Sequence, residues 1–493
     1  MLLMLDIRSR ERRDYELLNR RFSHEVLPVR AERVRGVELG VGPIRRRPLA
    51  RSASFKRLVQ IATVLTANPQ HSLPKGCDDW ADLKAAYRFL SNPRVRPDAI
   101  QTPHRRQTRM RCAAHPVVLI AQDLTELDFT RRRKMRGLGS IGNGGGRGLM
   151  QHTALAVTPD REVLGVLHQQ WRVRPQPPEG ETRKERLARP KKTDVWSDAV
   201  AAIGPAPSGT RFIHVADREA DGFQMMQACD DHGVGFLLRA QHDRCVQENT
   251  DKLWSFLARQ SVLDRRTLEI PATVKCPARK AQLELRCAKV TLDPPKQDRR
   301  FPQPRRVWTV WVTEPQPPQD AEPIDWMLLT CEPTETVEQS WQRVDWYRCR
   351  WMIEEFHKAE KSGCHLEASQ LDDGDDIRRL AAIVAVTAVR LLMLRRLADL
   401  QRQSPDQAPA ALQRAVPWLW IVVVARANKK DPADPATLTP QEFWLRIARQ
   451  GGYIGRRHDG RPGWSTIWKG WYEFMLMFHG AELLAAPLPP KCG

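Results

Sequence analysis

Three acidic residues in this 493-residue chain stand where side chains could share a cation. Asp123 lies just past the apolar run VVLIA at 117–121, and Asp217 directly follows FIHVA at 212–216. A continuous apolar run suits a strand buried on both faces. Both aspartates are therefore expected at the carboxyl ends of central strands, the edge where open α/β sheets bind ligands. Two carboxylates brought together there repel each other unless a cation lies between them. Hard divalent cations take oxygen ligands, and Mg²⁺ needs only one or two carboxylates plus water and substrate phosphate. Two such ions about 4 Å apart can activate an attacking oxygen and stabilise a leaving one. Each aspartate also has a plainer explanation as a cap or turn residue. That explanation is weaker for Asp217, because Asp221 is the more natural cap of the helix that follows.

The third carboxylate is Glu354. The spacing predicts one long helix over residues 337–361. Steps of three, four and seven place Tyr347, Arg350, Glu354 and Lys361 on one stripe, with Lys358 between. Trp346, Ile353 and Phe356 form another stripe that can face a core. By spacing alone, a solvated face with an Arg350–Glu354 pair worth about 0.3–0.5 kcal/mol is the more economical explanation. The other is a metal carboxylate flanked by phosphate-binding cations and an aromatic hydroxyl.

The surrounding elements must position these groups. From Phe55 the pattern is helical, with Leu58, Ile61, Ala62 and Leu65 on one face. A second helix is expected from Trp80 to Leu90, ending before Asn92-Pro93. Strand-like runs follow at 117–121, 153–157, 163–168, 212–216 and 234–238, with a helix at 194–203 and a Pro- and charge-rich loop at 175–192. Strands alternating with helices imply an α/β core. Alternating apolar residues between 250 and 315 imply a β-rich insertion, and 326–330 returns to the buried-strand type. The remainder, 375–493, reads as helical and aromatic-rich.

Composition narrows the partners. Lys and Arg outnumber Asp and Glu by 79 to 58, a net charge of +21. Such an imbalance favours a polyanion, nucleic acid above all, although Arg enrichment from a GC-rich genome gives the same sign. The ten cysteines form no C-x-x-C pair and read as reduced thiols. The longest apolar runs, 380–389 and 416–425, are about half the length of a membrane span. No signal peptide is visible, so an intracellular setting with no membrane is expected.

The Y-(2)-R-(3)-E-(6)-K spacing of Tyr347, Arg350, Glu354 and Lys361 resembles the signature of cut-and-paste bacterial insertion-sequence transposases. WYRCRWMIEEFHKAEKSG is similar to that family along its whole length. VLIAQDLTELDF and FIHVADREAD are similar to the segments around its first and second catalytic aspartates. DWADLKAAYRFLSNP and EFWLRIARQGGYIGRRHDGRPGWSTIWKGW are similar to its N- and C-terminal parts, so the resemblance spans residues 55–480. It implies an α/β fold with an RNase H-like catalytic core and a DDE triad of Asp123, Asp217 and Glu354. It also implies two Mg²⁺ ions, with Mn²⁺ an accepted substitute.

The implied domains are an atypical basic extension (1–50), a helical end-binding domain (51–108), the core (109–375, insertion about 245–325) and a helical dimerisation domain (376–493). By the same resemblance Trp326 stacks on a flipped base, an interaction worth about 1–3 kcal/mol. Tyr347, Arg350 and Lys361 hold nearby phosphates, Arg239 is a further DNA contact, His357 and Lys358 are adjacent candidates, and Arg88 contacts the transposon end. The cluster 131–134 is expected along a phosphate backbone.

The implied function is metal-dependent cleavage at terminal inverted repeats by a homodimer on double-stranded DNA. Water nicks one strand, the freed 3′ hydroxyl forms a hairpin, a second water opens it, and the 3′ ends join target DNA. Residues 1–50 depart from the family's usual start, where a D-x-R-R-type motif opens the first helix. The alternative is therefore an inactive or inhibitory remnant acting by dimerisation; a host nuclease of the same fold is a third reading.

Overall fold

The computed structural model describes residues 53–485 apart from 68, 78, 143–144, 175–179, 183–184, 186–190, 249–250, 271–277, 296–299, 320, 401–407, 428–431, 457–458 and 460–461. The extension 1–50 and most of the loop expected at 175–192 lie outside the described residues. The chain divides into two units. One comprises residues 108–133 and 137–357; the other comprises the described parts of 1–107, 134–136 and 358–493.

The second of these units is helical. In chain order it opens with α1 (Ala53–Ala67), which buries Leu58, Ile61, Ala62 and Leu65, as the spacing predicts. Helix α2 (Trp80–Leu90) starts at Asp79, whose carboxylate accepts the Asp82 N–H at 2.7 Å and caps the first turn. Helix α3 (Pro97–Cys112) then runs from this unit into the sheet unit.

The sheet unit begins with β1 (Val117–Asp128), β2 (Gly139–Ile141), β3 (Gly146–Val157) and β4 (Val163–Arg172). It continues with α4 (Asp194–Ile203), β5 (Arg211–Ala216), α5 (Phe223–Asp231), β6 (Gly235–Arg239) and α6 (Leu253–Ala258). Then come β7 (Asp264–Ile270), β8 (Arg279–Leu292), β9 (Arg305–Thr313), β10 (Asp325–Thr330), α7 (Val337–Arg348) and α8 (Trp351–Lys358). Among the described residues the ten strands form one sheet, ordered β2-β3-β1-β5-β6-β10-β9-β8-β7, with β4 also paired to β3. β1, β5 and β6 run parallel and the other pairings are antiparallel. Three parallel strands at the centre, an antiparallel β3–β4 hairpin beside them and helices packed on them make the RNase H-like arrangement.

Val118, Ile120, Phe212 and Phe236 of the parallel strands share a core with Trp196 of α4 and with Phe223 and Met226 of α5. Full burial of such side chains contributes roughly 1.5–3 kcal/mol each, which holds the strand ends in place. The insertion strands β7–β9 extend the same sheet through β10, which pairs with β6 at Leu328↔Arg239.

Two elements differ from expectation. β1 does not end before Asp123: it stays paired with β3 as far as Asp128↔Gly148, while its parallel pairing with β5 stops at Ala121↔Val215. The single helix expected over 337–361 is also broken. Around Cys349 and Arg350 the backbone closes i→i−3 bonds: Cys349 N–H to Trp346 O, Arg350 to Tyr347, Met352 to Cys349 and Ile353 to Arg350, each 3.0 Å. Such turns advance about 120° per residue rather than about 100°. Trp346 and Tyr347, just before these turns, are both buried. After Lys358 the chain widens into a π-turn, Ala359–Gly363, which carries Lys361.

The helical unit resumes with α9 (Gly374–Leu400), α10 (Ala408–Ala415), α11 (Trp418–Arg426), α12 (Pro440–Gln450) and α13 (Trp464–Ala485). Arg379 of α9 donates to Leu90 O at 2.8 Å and Val95 O at 2.7 Å, so the N-terminal helices pack on α9. Trp420, Trp471, Phe443 and Phe474 meet edge to face in its core. Among the described residues no single helix is long and apolar enough to cross a membrane.

α12 and α13 approach closely at Gly470, where a Cβ would fall 1.8 Å from Ile447 O. Gly470→Ala should lower stability by roughly 1–3 kcal/mol. Gly480→Ala in the same helix meets nothing within 4 Å and should gain about 0.5–1 kcal/mol. Urea midpoints of the two variants check the contrast.

Candidate active site

The parallel register places the first two carboxylates. Ala121 pairs with Val215, and two further residues along each chain bring Asp123 level with Asp217. Asp217 keeps extended backbone angles (φ −81°, ψ −166°), so the alignment carries past the last paired residue. Asp217 is itself a cap: its carboxylate accepts the Glu219 N–H at 3.0 Å, opening a short turn at Arg218–Ala220. Asp221, expected to cap the helix after it, does not: α5 begins at Phe223, and Gly222 stands at its N-cap. The buried Asp221 carboxylate is engaged by the N–H groups of Gln241 and His242 (2.7 and 3.0 Å) and by Arg244 at 2.7 Å. The plainer explanation weighed for Asp217 thus holds in part, and the carboxylate combines a cap with a place beside Asp123.

Glu354 reaches the same neighbourhood through Arg350. The guanidinium lies 2.7 Å from Glu354 Oε1 and 3.8 Å from Asp123 Oδ1, and its side chain is 12% exposed. His357, also buried, sets Nδ1 3.5 Å from Asp123 Oδ2. Burial, and then the Asp123 charge, push the Asp217 carboxyl above its ordinary value. Burial works against the Arg350 charge, but Tyr347, Asp123 and Glu354 outweigh it and hold the guanidinium above its ordinary value.

Among the described residues no three His, Cys, Asp or Glu side chains converge closely enough to hold one ion. The donors nevertheless suit a hard divalent cation: oxygen ligands from Asp123 and Asp217, side by side and mutually repelling.

The residues expected to touch DNA fall into two sets. Trp326, Tyr347 and Arg239 lie near one another in the sheet unit. The rings of Trp326 and Tyr347 meet edge-on at 5.5 Å, and Arg239 donates to Asp325 O at 2.8 Å. Tyr347 is buried, and that burial raises its hydroxyl pKa. Trp326 is half-buried, with its edge against Tyr347. His357 is buried against Asp123 rather than presented to solvent. In the helical unit, Arg88 is exposed in the last turn of α2, Lys358 is exposed, and Lys361 pairs with Glu367 at 3.3 Å. In the basic cluster, Arg131, Arg133 and Lys134 are exposed or half-exposed.

Sequence reasoning missed a buried polar layer in the sheet unit. Gln122 Nε2 and His214 Nδ1 are 2.6 Å apart, and His152 meets Trp196 edge-on at 4.6 Å. Burial holds His152 uncharged and pushes His214 down to about 3. The available signal was polar residues inside otherwise apolar runs: His214 within FIHVA and Gln122 after VVLIA.

Paired carboxylates at the ends of central strands, flanked by cations, suit metal-assisted phosphoryl transfer. Residues 188–390 match the transposase DDE domain family, and residues 55–95 match the transposase DNA-binding family. The chain is a DDE transposase of the insertion-sequence type, with DNA as its partner. Domains of this class work with a divalent metal ion. Asp217 and Glu354 fall inside the matched DDE segment, Asp123 precedes it, and Arg88 falls inside the DNA-binding match.

Asp217 yields a pH-dependent expectation. Its folded-state pKa is raised, so the carboxylate costs stability above that pKa, and the cost vanishes as pH falls below the ordinary value of 3.8. Asp217→Asn should therefore raise the melting temperature at pH 7 in metal-free buffer while abolishing DNA cleavage. Its melting advantage should disappear near pH 3.

Proposed function

We propose that this transposase cuts DNA at terminal inverted repeats and joins the freed ends to target DNA, through a hairpin intermediate, with Asp123, Asp217 and Glu354 as its catalytic carboxylates. The alignment of Asp123 with Asp217 carries this reading, with Glu354 linked to them through one guanidinium. Two Mg²⁺ ions held there would activate the attacking oxygen and stabilise the departing one.

The chain's own groups do the positioning. Asp217 is fixed by the Glu219 N–H and Asp123 is flanked by His357 and Arg350, so the carboxylate oxygens are preorganised. Tyr347, Arg350 and Lys361 hold phosphates near the cleaved bond. Trp326 offers a ring to an unstacked base after shifting from its edge contact with Tyr347. Arg239 and Lys358 bind further along the backbone, and His357 acts on DNA only through Asp123. Arg88 belongs to the end-binding module. Two copies would pair two ends through the C-terminal helices, where α13 leaves Tyr472 and Leu476 exposed. In such transfers positioning and charge neutralisation supply most of the rate.

The test uses a duplex bearing the inverted repeats that flank the gene. With Mg²⁺, the wild type should nick at the outer end of the repeat, and Glu354→Gln should slow nicking by about 10²–10³-fold or more. An unchanged rate would remove Glu354 from the catalytic set. Absence of repeats beside the gene would refute end cleavage.

A further inference from the structure

Arg350 makes the contacts that a metal ion at this site would need to make. Its guanidinium sits 2.7 Å from Glu354 and 3.8 Å from Asp123, largely buried, and so neutralises one carboxylate on a strand and one on α8. A divalent cation drawn to the same oxygens would face that positive charge at close range, in a setting with little water to screen it. Cation and guanidinium therefore compete for the same carboxylates.

Arg350 has an alternative partner in the substrate. A guanidinium matches phosphate as well as it matches carboxylate, through the same two-pronged hydrogen bonding. Exchanging Glu354 for a DNA phosphate keeps its charge paired, and only the carboxylates are left in need of a cation. Arg350 also sits in the tight turn between α7 and α8, directly beside the Tyr347 expected to face DNA phosphates.

We propose that Arg350 is an internal counterion of the carboxylate site, competing with the divalent cation until a DNA phosphate draws the guanidinium away. DNA and metal then bind with positive coupling, each tightening the other by the same factor. The transposase would stay poorly loaded with metal until an end is in place, which limits stray cutting. The proposal rests on the metal-dependent reading of Asp123 and Glu354 given above. A guanidinium that merely braced Glu354 would have the opposite effect, because its removal would loosen a metal ligand.

The test is Mn²⁺ affinity of the full chain, read from free Mn²⁺ by electron paramagnetic resonance. It is measured with and without a duplex that carries the flanking repeat and is already cut at its end. For the wild type, the duplex should tighten Mn²⁺ binding by about tenfold or more, within the usual range of coupling between sites. Arg350→Ala should bind Mn²⁺ about tenfold tighter than wild type without DNA, and the duplex should then add little. Arg350→Gln, which keeps most of the side-chain volume, gives the same comparison if the alanine variant folds poorly. Equal or weaker Mn²⁺ binding in these variants overturns the proposal, as does full tightening by DNA in the absence of Arg350. Glu354→Gln separates the two claims. If it abolishes Mn²⁺ binding while the Arg350 variants behave like wild type, the metal site stands and the counterion role falls. If the wild type binds no Mn²⁺ even with the duplex, both fall.

Discussion

Asp123 and Asp217 are held side by side by the pairing of two parallel strands, and their mutual repulsion shapes what surrounds them. Burial strengthens that repulsion, because little water is present to screen it. The fold absorbs the cost in three ways. The Glu219 N–H supports one carboxylate, His357 and Arg350 flank the other, and the apolar core behind the strands keeps both from moving apart. A site assembled this way carries unbalanced negative charge at Asp217 and suits added positive charge.

The break between α7 and α8 belongs to the same arrangement. An uninterrupted helix would keep Tyr347, Arg350 and Glu354 on one stripe, all facing one way. The tight turns at Cys349 and Arg350 bring residues three apart into line, so Tyr347 packs inward beside Trp326 with Arg350 next to it, and Arg350 reaches both Glu354 and Asp123. The Arg350 guanidinium thus links the aromatic pair to the carboxylates.

Much of this was legible in the sequence, and the failures have physical causes. The strands carrying Asp123 and Asp217 were readable because strands buried on both faces need unbroken apolar runs, and VVLIA and FIHVA are such runs. The continuation of β1 to Asp128 was hidden, because QDLTELD lacks that apolar signal and is held by pairing with β3. The helix break was hidden because a 3.6-residue period does not register a local tightening to three. His357 was a DNA-contact candidate by resemblance alone, and its burial beside Asp123 is revealed only by tertiary structure. Glu354 illustrates the limit best: its spacing suited a solvated pair with Arg350, and that pair is present, yet Asp123 lies against the same guanidinium.

The proposed metal site would draw ligands from Asp123, Asp217 and Glu354. Anomalous diffraction from crystals of the full chain with a cut transposon end, soaked in Mn²⁺, tests it most directly. The expected result is one or two Mn²⁺ peaks bounded by oxygens of Asp123, Asp217 and Glu354, with the Arg350 guanidinium turned toward a phosphate. Mn²⁺ peaks found elsewhere, with Arg350 still bound to Glu354, would contradict it.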